Sequence, residues 1–286
     1  MNGTLGRDKV WNDQIWGEID KAVREETGRI RVAQKVFPST IVNNLQPILG
    51  NALVSPGTPA VLKTGDDVYR AFVEISIQFV LTQAQVEGEE SMRLGSTLAR
   101  LAASRIAASE DAILFLGANS ILAGKAPTPP VIKNTGASFT NQNAFPPGFV
   151  DLATSSVGPV SSPDTILTLL AKGMADLNKR GQPGPYALFL PPDQYASTYS
   201  PPPNTLATQA DCIVVLATGG FFAVNSLPDK IGILVSLGGE PAKIILGTDA
   251  TAAFAFTDQS GNYYFRVFER LQLMVRDTTA FEKLQF

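Results

Sequence analysis

Residues 91–116 limit most strongly what this chain can become. Leu94, Leu98, Leu101, Ile106 and Ile113 recur at helical spacing, alanines fill much of the rest, and no proline interrupts. The pattern predicts one helix, roughly 40 Å long at 1.5 Å per residue. A helix of that length acts as the spine of a lobe, and other elements must pack along it. Gly117 follows as a natural left-handed stop. A second helix is predicted over residues 12–27. Asn12 is its N-cap, Trp11 and Trp16 stand at hydrophobic-staple spacing, and Gly28 is its end. Ile15, Trp16, Ile19, Ala22 and Val23 form its apolar stripe, which serves either the chain's own core or a docked partner. A third helix is capped by Ser162 with Pro163 at its first position, lined by Ile166, Leu167, Leu170, Met174 and Leu177, and stopped by Gly181. Pro191-Pro192-Asp193 opens a short helix reaching Tyr199.

The later half reads as strands. Residues 186–190 form a continuous apolar run, as a buried strand does. Short strands are predicted over residues 213–216, 221–224, 231–237, 243–246 and 252–257. A longer one over residues 263–275 follows the turn Asp258-Gln259-Ser260-Gly261-Asn262. Earlier, Phe72, Val73, Ile75, Ile77 and Phe79 mostly alternate and predict a half-buried strand behind a Pro- and Gly-punctuated hairpin at residues 47–68. Residues 123–163 read as a long irregular connection, and Pro201-Pro202-Pro203 as a stiff exposed loop. Helices come early, strands come late, and no βαβ unit repeats. The fold class is therefore α+β.

Composition removes much chemistry. Histidine is absent, which excludes Ser-His-Asp and Cys-His catalysis and every histidine-ligated metal. Cys212 is the only cysteine, so no internal disulfide forms; within Cys212-Ile213-Val214-Val215-Leu216 it reads as a buried apolar residue. The acidic groups Glu87, Glu89, Glu90 and Asp66-Asp67 lack a second ligand motif, and the first three read as a solvated turn and helix start. Gly219-Gly220 and Gly238-Gly239 are not phosphate loops, and no SxxK occurs. No catalytic residue, cofactor or metal is expected. A net charge of -3 argues against nucleic acid as a partner. Residues 213–224, broken by Gly219-Gly220, are too short to span a bilayer, and the N-terminal stretch lacks a leader pattern. A cytoplasmic chain is expected, with no membrane partner.

Five strings then resemble one family, in order along the chain. They are Trp16-Gly17-Glu18-Ile19-Asp20, Glu110-Asp111-Ala112-Ile113-Leu114-Phe115-Leu116-Gly117, Gly184-Pro185-Tyr186-Ala187-Leu188 with Asp193-Gln194-Tyr195, Ile244-Ile245-Leu246-Gly247-Thr248-Asp249, and the terminal Phe281-Glu282-Lys283-Leu284-Gln285-Phe286. Together they resemble the encapsulins. The resemblance implies a tailed-phage capsid (HK97-like) fold. Its peripheral domain would comprise residues 1–50, 82–160 and 243–286, its extended loop residues 51–81, and its axial domain residues 161–242. It implies a structural shell protomer that assembles with itself into an icosahedral nanocompartment and encloses a cargo protein bearing a C-terminal targeting peptide. Carried over by position, the cargo groove would involve Val23, Ile30, Ala252, Phe254 and Phe256. A pore would be lined by Tyr199, Ser200, Pro201 and Asn204.

Other readings stay open. A major capsid protein of a phage or prophage would share the fold. A hydrolase and a non-assembling binding module are the remaining alternatives.

Overall fold

The computed structural model describes residues 5–42, 48–49, 54–56, 62–64, 69–117, 131–134, 147–158, 165–201 and 207–286. Two five-stranded sheets organise them. The first has the order β1-β12-β13-β6-β7, from Ser39–Ile41 (β1), Val73–Leu81 (β6), Val131–Asn134 (β7), Ala242–Thr257 (β12) and Tyr263–Val275 (β13). The second has the order β10-β9-β11-β14-β8, from Ser155–Val157 (β8), Tyr186–Leu190 (β9), Gly220–Ala223 (β10), Ile231–Ser236 (β11) and Phe281–Gln285 (β14). Two short ladders, Ile48–Leu49 (β2) with Tyr69–Arg70 (β5) and Val54–Pro56 (β3) with Leu62–Thr64 (β4), stand apart from both sheets.

The β12–β13 hairpin is the longest pairing. Its turn is tied by Asp258, whose side chain accepts from Ser260 N at 2.9 Å, Asn262 N at 2.8 Å and Asn262 Nδ2 at 3.0 Å. β13 has the bounds expected for the strand that follows this turn. The two short strands expected over residues 243–246 and 252–257 are one strand, β12. Register shifts after Leu246, Thr248 and Phe254 absorb the intervening Gly247 to Thr251 without breaking the ladder.

Helix α1, Asp13–Ile30, begins where predicted, with Asn12 Oδ1 accepting from Ile15 N at 2.9 Å. Gly28 does not end it; the helix continues to Ile30. Trp16, Ile19, Ala22 and Val23 are buried, so the stripe serves the chain's own core. Trp11 meets Trp16 edge-on at 5.1 Å and stacks on Phe265 of β13 at 4.6 Å.

Gln83–Glu87 (α2) and Glu89–Met92 (α3) precede the spine helix α4, Leu94–Leu116. Residue 91 therefore belongs to a separate turn. The break is at Arg93, held at φ 51°. Glu89, expected in a solvated turn, is buried: its carboxylate accepts from Gly95 N at 2.7 Å and Ser96 N at 2.9 Å, satisfying two of the orphan donors of α4. The buried face of α4 is built from Ala99, Ala102, Ala103, Ile106, Ala107 and Ile113, whereas Leu101 is 57% exposed and leaves the predicted apolar face. The alanines allow α1 to approach closely. Gly117 ends the helix at φ 81°, as expected.

In the second lobe, helix α6, Ile166–Lys179, covers β11 and β14. Its cap is Thr165, whose hydroxyl accepts from Thr168 N at 3.2 Å; Ser162 and Pro163 lie outside the described residues. Leu188, Leu190, Leu234 and Leu284 pack beneath it. Ala187, Phe189, Ile233, Val235 and Phe281 belong to the main core on the opposite face. A strand buried on both faces has to be apolar throughout, which explains the run Tyr186–Leu190.

Three readings are corrected here. Residues 213–216 are not a strand but the end of helix α8, Gln209–Leu216, because Thr208 and Asp211 form a capping box that starts a helix. Cys212 is exposed, since Ala210 and Ile213 take the buried positions of that helix. The connection over residues 123–163 contains β7, a one-turn helix α5 at Phe149–Leu152, and β8, which pairs in parallel with β14. The short helix α7, Pro192–Ser197, starts as expected, with proline at its first turn, and ends before the expected Tyr199. β14, grouped by sequence with residues 243–286, pairs in the second sheet, and β6, grouped with residues 51–81, lies inside the first.

Candidate assembly and docking surfaces

The C-terminal end of α1 is seated on a buried ionic cluster. Arg31, 7% exposed at its side chain, follows the helix directly and turns inward. Its Nη2 donates to Glu269 Oε1 of β13 at 2.8 Å and to Asp249 Oδ1 of β12 at 2.9 Å. Its Nε lies 2.5 Å from Glu110 Oε2 of α4. Gln34 Nε2 donates to Glu110 Oε1 at 2.6 Å. The neighbouring Asp111 accepts from Val32 N at 2.9 Å and Ala33 N at 2.9 Å, so the chain after α1 is pinned to the spine by backbone as well as side chain.

Burial pushes Glu110 and Glu269 above the usual carboxylate range; Arg31 pulls both down without reversing the shift. Burial and then the charge of Glu110 push Asp111 up to about 7, against the N–H groups of Ala33 and Val32. Burial also works against the charge on Arg31, yet Glu269, Glu110 and Asp249 together hold its pKa above the ordinary arginine value. The sequence reading missed Arg31, Asp249 and Glu269 as a unit. The available signal was Glu110-Asp111 abutting the wholly apolar run Ile113-Leu114-Phe115-Leu116, since carboxylates in such company must be paired.

The predicted groove residues do not share one surface. Val23 and Ala252 are core. Ile30 is half-buried at the end of α1. Phe254 is half-buried, edge-on to Phe265 at 5.7 Å, and covered from the N-terminal side by Gly6. Arg7 donates to the Ala252 carbonyl at 2.6 Å and to Asp20 of α1 at 2.6 Å, fastening the N-terminal segment across β12. The bulge after Phe254 turns Phe256 to the other face, where it is 49% exposed and stacks on Tyr264 at 4.4 Å. Tyr264 pairs in turn with exposed Val80 of β6.

Of the predicted pore residues, Tyr199, Ser200 and Pro201 are exposed beyond α7, and Asn204 lies outside the described residues. Tyr199 and Tyr195 share a hydrogen bond between their hydroxyls at 2.9 Å, which with burial pushes Tyr195 up to about 12. Among the described residues, no group of three or more His, Cys, Asp or Glu is placed to hold a metal ion. No helix among them is long and apolar enough to cross a membrane.

Residues 140–272 match the family described as encapsulating protein for peroxidase. The type 1 encapsulin shell protein EncA of Myxococcus xanthus (strain DK1622) is 29% identical over 127 residues. In sequence, this chain is similar to the encapsulins. The match with EncA spans 44% of this encapsulin-like chain and 44% of that relative. The virus-like particle from Pyrococcus furiosus has the same fold, with a TM-score of 0.69 and 13% identity, over 94% of this chain and 99% of that one. The capsid of the native GTA particle gives a TM-score of 0.57 at 13% identity, over 88% and 89%. Mycobacterium phage Ogopogo gives 0.54 at 13%, over 89% and 91%. The encapsulin-like chain therefore has the capsid fold that the sequence resemblance implied.

Proposed function

We propose that this encapsulin-like chain is the shell protomer of a nanocompartment. Copies close into an icosahedral shell around a cargo protein, and the chain itself is not an enzyme. The observation that carries this reading is a capsid fold spanning nearly the whole chain, with the encapsulin match over residues 140–272. The lobes divide the work. Residues 1–50, 82–160 and 243–286 form the peripheral domain apart from the terminal strand, residues 51–81 contribute the extended loop, and residues 161–242 meet neighbours near an axis. Tyr199, Ser200, Pro201 and Asn204 line a pore there. A C-terminal peptide of the cargo docks along the α1 side of β12, where Ile30 and Phe254 offer apolar surface over Val23 and Ala252. Phe256 serves a separate contact on the opposite face. No membrane or nucleic-acid partner is needed, and the compartment is cytoplasmic.

A second reading, a major capsid protein of a phage or prophage, is favoured by the fold likeness to the GTA and phage capsids. One preparation separates the two. The chain is expressed alone, purified by size exclusion, imaged by negative-stain electron microscopy and assayed for nucleic acid. Uniform hollow particles formed without scaffold and free of nucleic acid support the nanocompartment. A monomer or small oligomer overturns self-assembly, and particles retaining nucleic acid favour the capsid reading.

A further inference from the structure

The buried cluster behind α1 holds more acid than base. Arg31 brings one positive charge, and Glu110 of α4, Asp249 of β12 and Glu269 of β13 share it. Water reaches Asp249, 35% exposed at its side chain, whereas Glu110 and Glu269 are 0% exposed. Three ionised carboxylates on one guanidinium leave surplus negative charge in the core, which burial strongly disfavours. A retained proton removes that surplus. The two buried acids differ in what holds them. Glu110 Oε1 accepts from Gln34 Nε2 at 2.6 Å, and its Oε2 is ion-paired with Arg31 Nε at 2.5 Å. Glu269 accepts one bond, from Arg31 Nη2 to Oε1 at 2.8 Å; its Oε2 is buried and has no hydrogen-bond partner among the described residues. A carboxylate oxygen without a donor supports negative charge poorly, so Glu269 is the acid that keeps its proton most readily.

Among the described residues, the surrounding elements turn no second cation toward Glu269. Ile75 of β6 stands opposite it, while Glu74 and Arg270 pair on the other face of that sheet. Lys35 donates to the Arg29 carbonyl, and Arg29 pairs with Glu26. Asp111, the remaining acid, accepts from Val32 N and Ala33 N. Burial, reinforced by the charges of Glu110 and Asp249, pushes Glu269 well above the usual carboxylate range against the pull of Arg31.

The cluster fastens a link between two packed elements. Behind α1, residues 31–36 run to Phe37, which is anchored by stacking on Phe149, Phe189 and Phe281. Arg31, Gln34 and the amides of Val32 and Ala33 tie this link to α4 and to the sheet. Arg31 N also donates to the Thr27 carbonyl at 2.9 Å, so the last turn of α1, with Ile30, is held through the same residue.

We propose that Glu269 carries a proton in the closed protomer, and that loss of this proton to alkaline solvent releases residues 31–36 from α4 and β13 while the rest of the fold stays closed. Ionised Glu269, Glu110 and Asp249 then repel one another across a single guanidinium, and moving the link outward lets water reach them. No bond other than the acid O–H breaks. The device belongs to the protomer and stands whether or not copies of it close into a shell.

Hydrogen–deuterium exchange of the full-length protein, followed by mass spectrometry, tests the release. Rates at about pH 6 and about pH 9 are compared after correction for the intrinsic pH dependence of amide exchange. Peptides covering residues 31–36 are expected to exchange about tenfold faster at the higher pH, with peptides from the middle of α4 and β13 unchanged. Glu269→Gln has the same shape and stays neutral, so it is expected to lose that gain. Infrared spectroscopy reads the proton itself: at about pH 7 the wild type is expected to show the C=O band of a protonated carboxylic acid, which Glu269→Gln weakens. Equal exchange of residues 31–36 at both pH values overturns the proposal, as does a gain spread evenly over the chain. A gain retained in Glu269→Gln, or a band that this variant leaves unchanged, overturns it too. The wild-type exchange and spectrum need only the native chain, and they decide the matter where the variant does not fold.

Discussion

Arg31 occupies a position where one side chain serves three carboxylates from α4, β12 and β13. Removing it would leave buried charge without a partner. Arg31→Ala is expected to destabilise the protomer by about 3–5 kcal/mol, read as a lower urea midpoint at neutral pH. Mutating both sides to apolar residues of similar volume would cost less, for the same reason. The cluster also sets a pH dependence. Glu110, Glu269 and Asp111 bind protons more tightly folded than unfolded. Their protonated forms therefore favour the folded state, fully so below the ordinary carboxylate range near pH 4. That contribution is lost as pH rises, for Asp111 through about 7. The urea midpoint is expected to fall between pH 5 and pH 8. Glu269→Gln, which stays neutral, should flatten the slope; an unchanged slope would remove Glu269 from the account.

At the scale of elements, the two ends of the spine are held by different devices. Its C-terminus uses Gly117 at positive φ, a stop the sequence announces. Its N-terminus uses Glu89 from the preceding turn, bonded to Gly95 and Ser96. Glu89→Ala leaves two amides of α4 unpaired beside a buried side chain, and a loss of about 1–3 kcal/mol is expected in chemical denaturation. The seat of α1 is aromatic. Trp16 is buried against Trp11 and Phe265, and Trp16→Ala is expected to cost about 3–5 kcal/mol through the cavity it opens. A near-wild-type melting curve for that variant would mean that α1 is not part of the cooperative core.

At the scale of the whole molecule, the chain returns at its end to join the two lobes. β14 pairs antiparallel with β11 and parallel with β8, and Phe281 enters the aromatic cluster of Phe37, Phe149 and Phe189. Residues more than two hundred positions apart meet here, so the second sheet cannot close without the terminus. Deleting residues 281–286 is expected to give insoluble or unfolded protein, assayed by solubility and circular dichroism. Soluble, folded protein from that deletion would show that β14 is dispensable.

The sequence alone determined those elements whose signals are local. Asn12 caps α1, Gly117 stops α4, and Asp258 to Asn262 turns the long hairpin and marks where β13 begins, because each depends on side chains a few positions apart. It also determined the α+β class and, through five short strings, the capsid fold. Only the tertiary structure decided the rest. The apolar run Cys212 to Leu216 fits helix and strand equally by its own pattern; the Thr208–Asp211 cap is a local helix signal that the sequence reading passed over, and which side chains of the run are buried was decided by packing, which took Ala210 and Ile213. The run after Phe254 keeps its ladder by a bulge, which sends Phe256 away from Phe254 and divides the expected groove. Arg31 and Glu269 stand 238 positions apart, and no local pattern pairs them. Periodicity records which way a side chain points along its own element; which surface it then meets is fixed only when elements distant in sequence pack together.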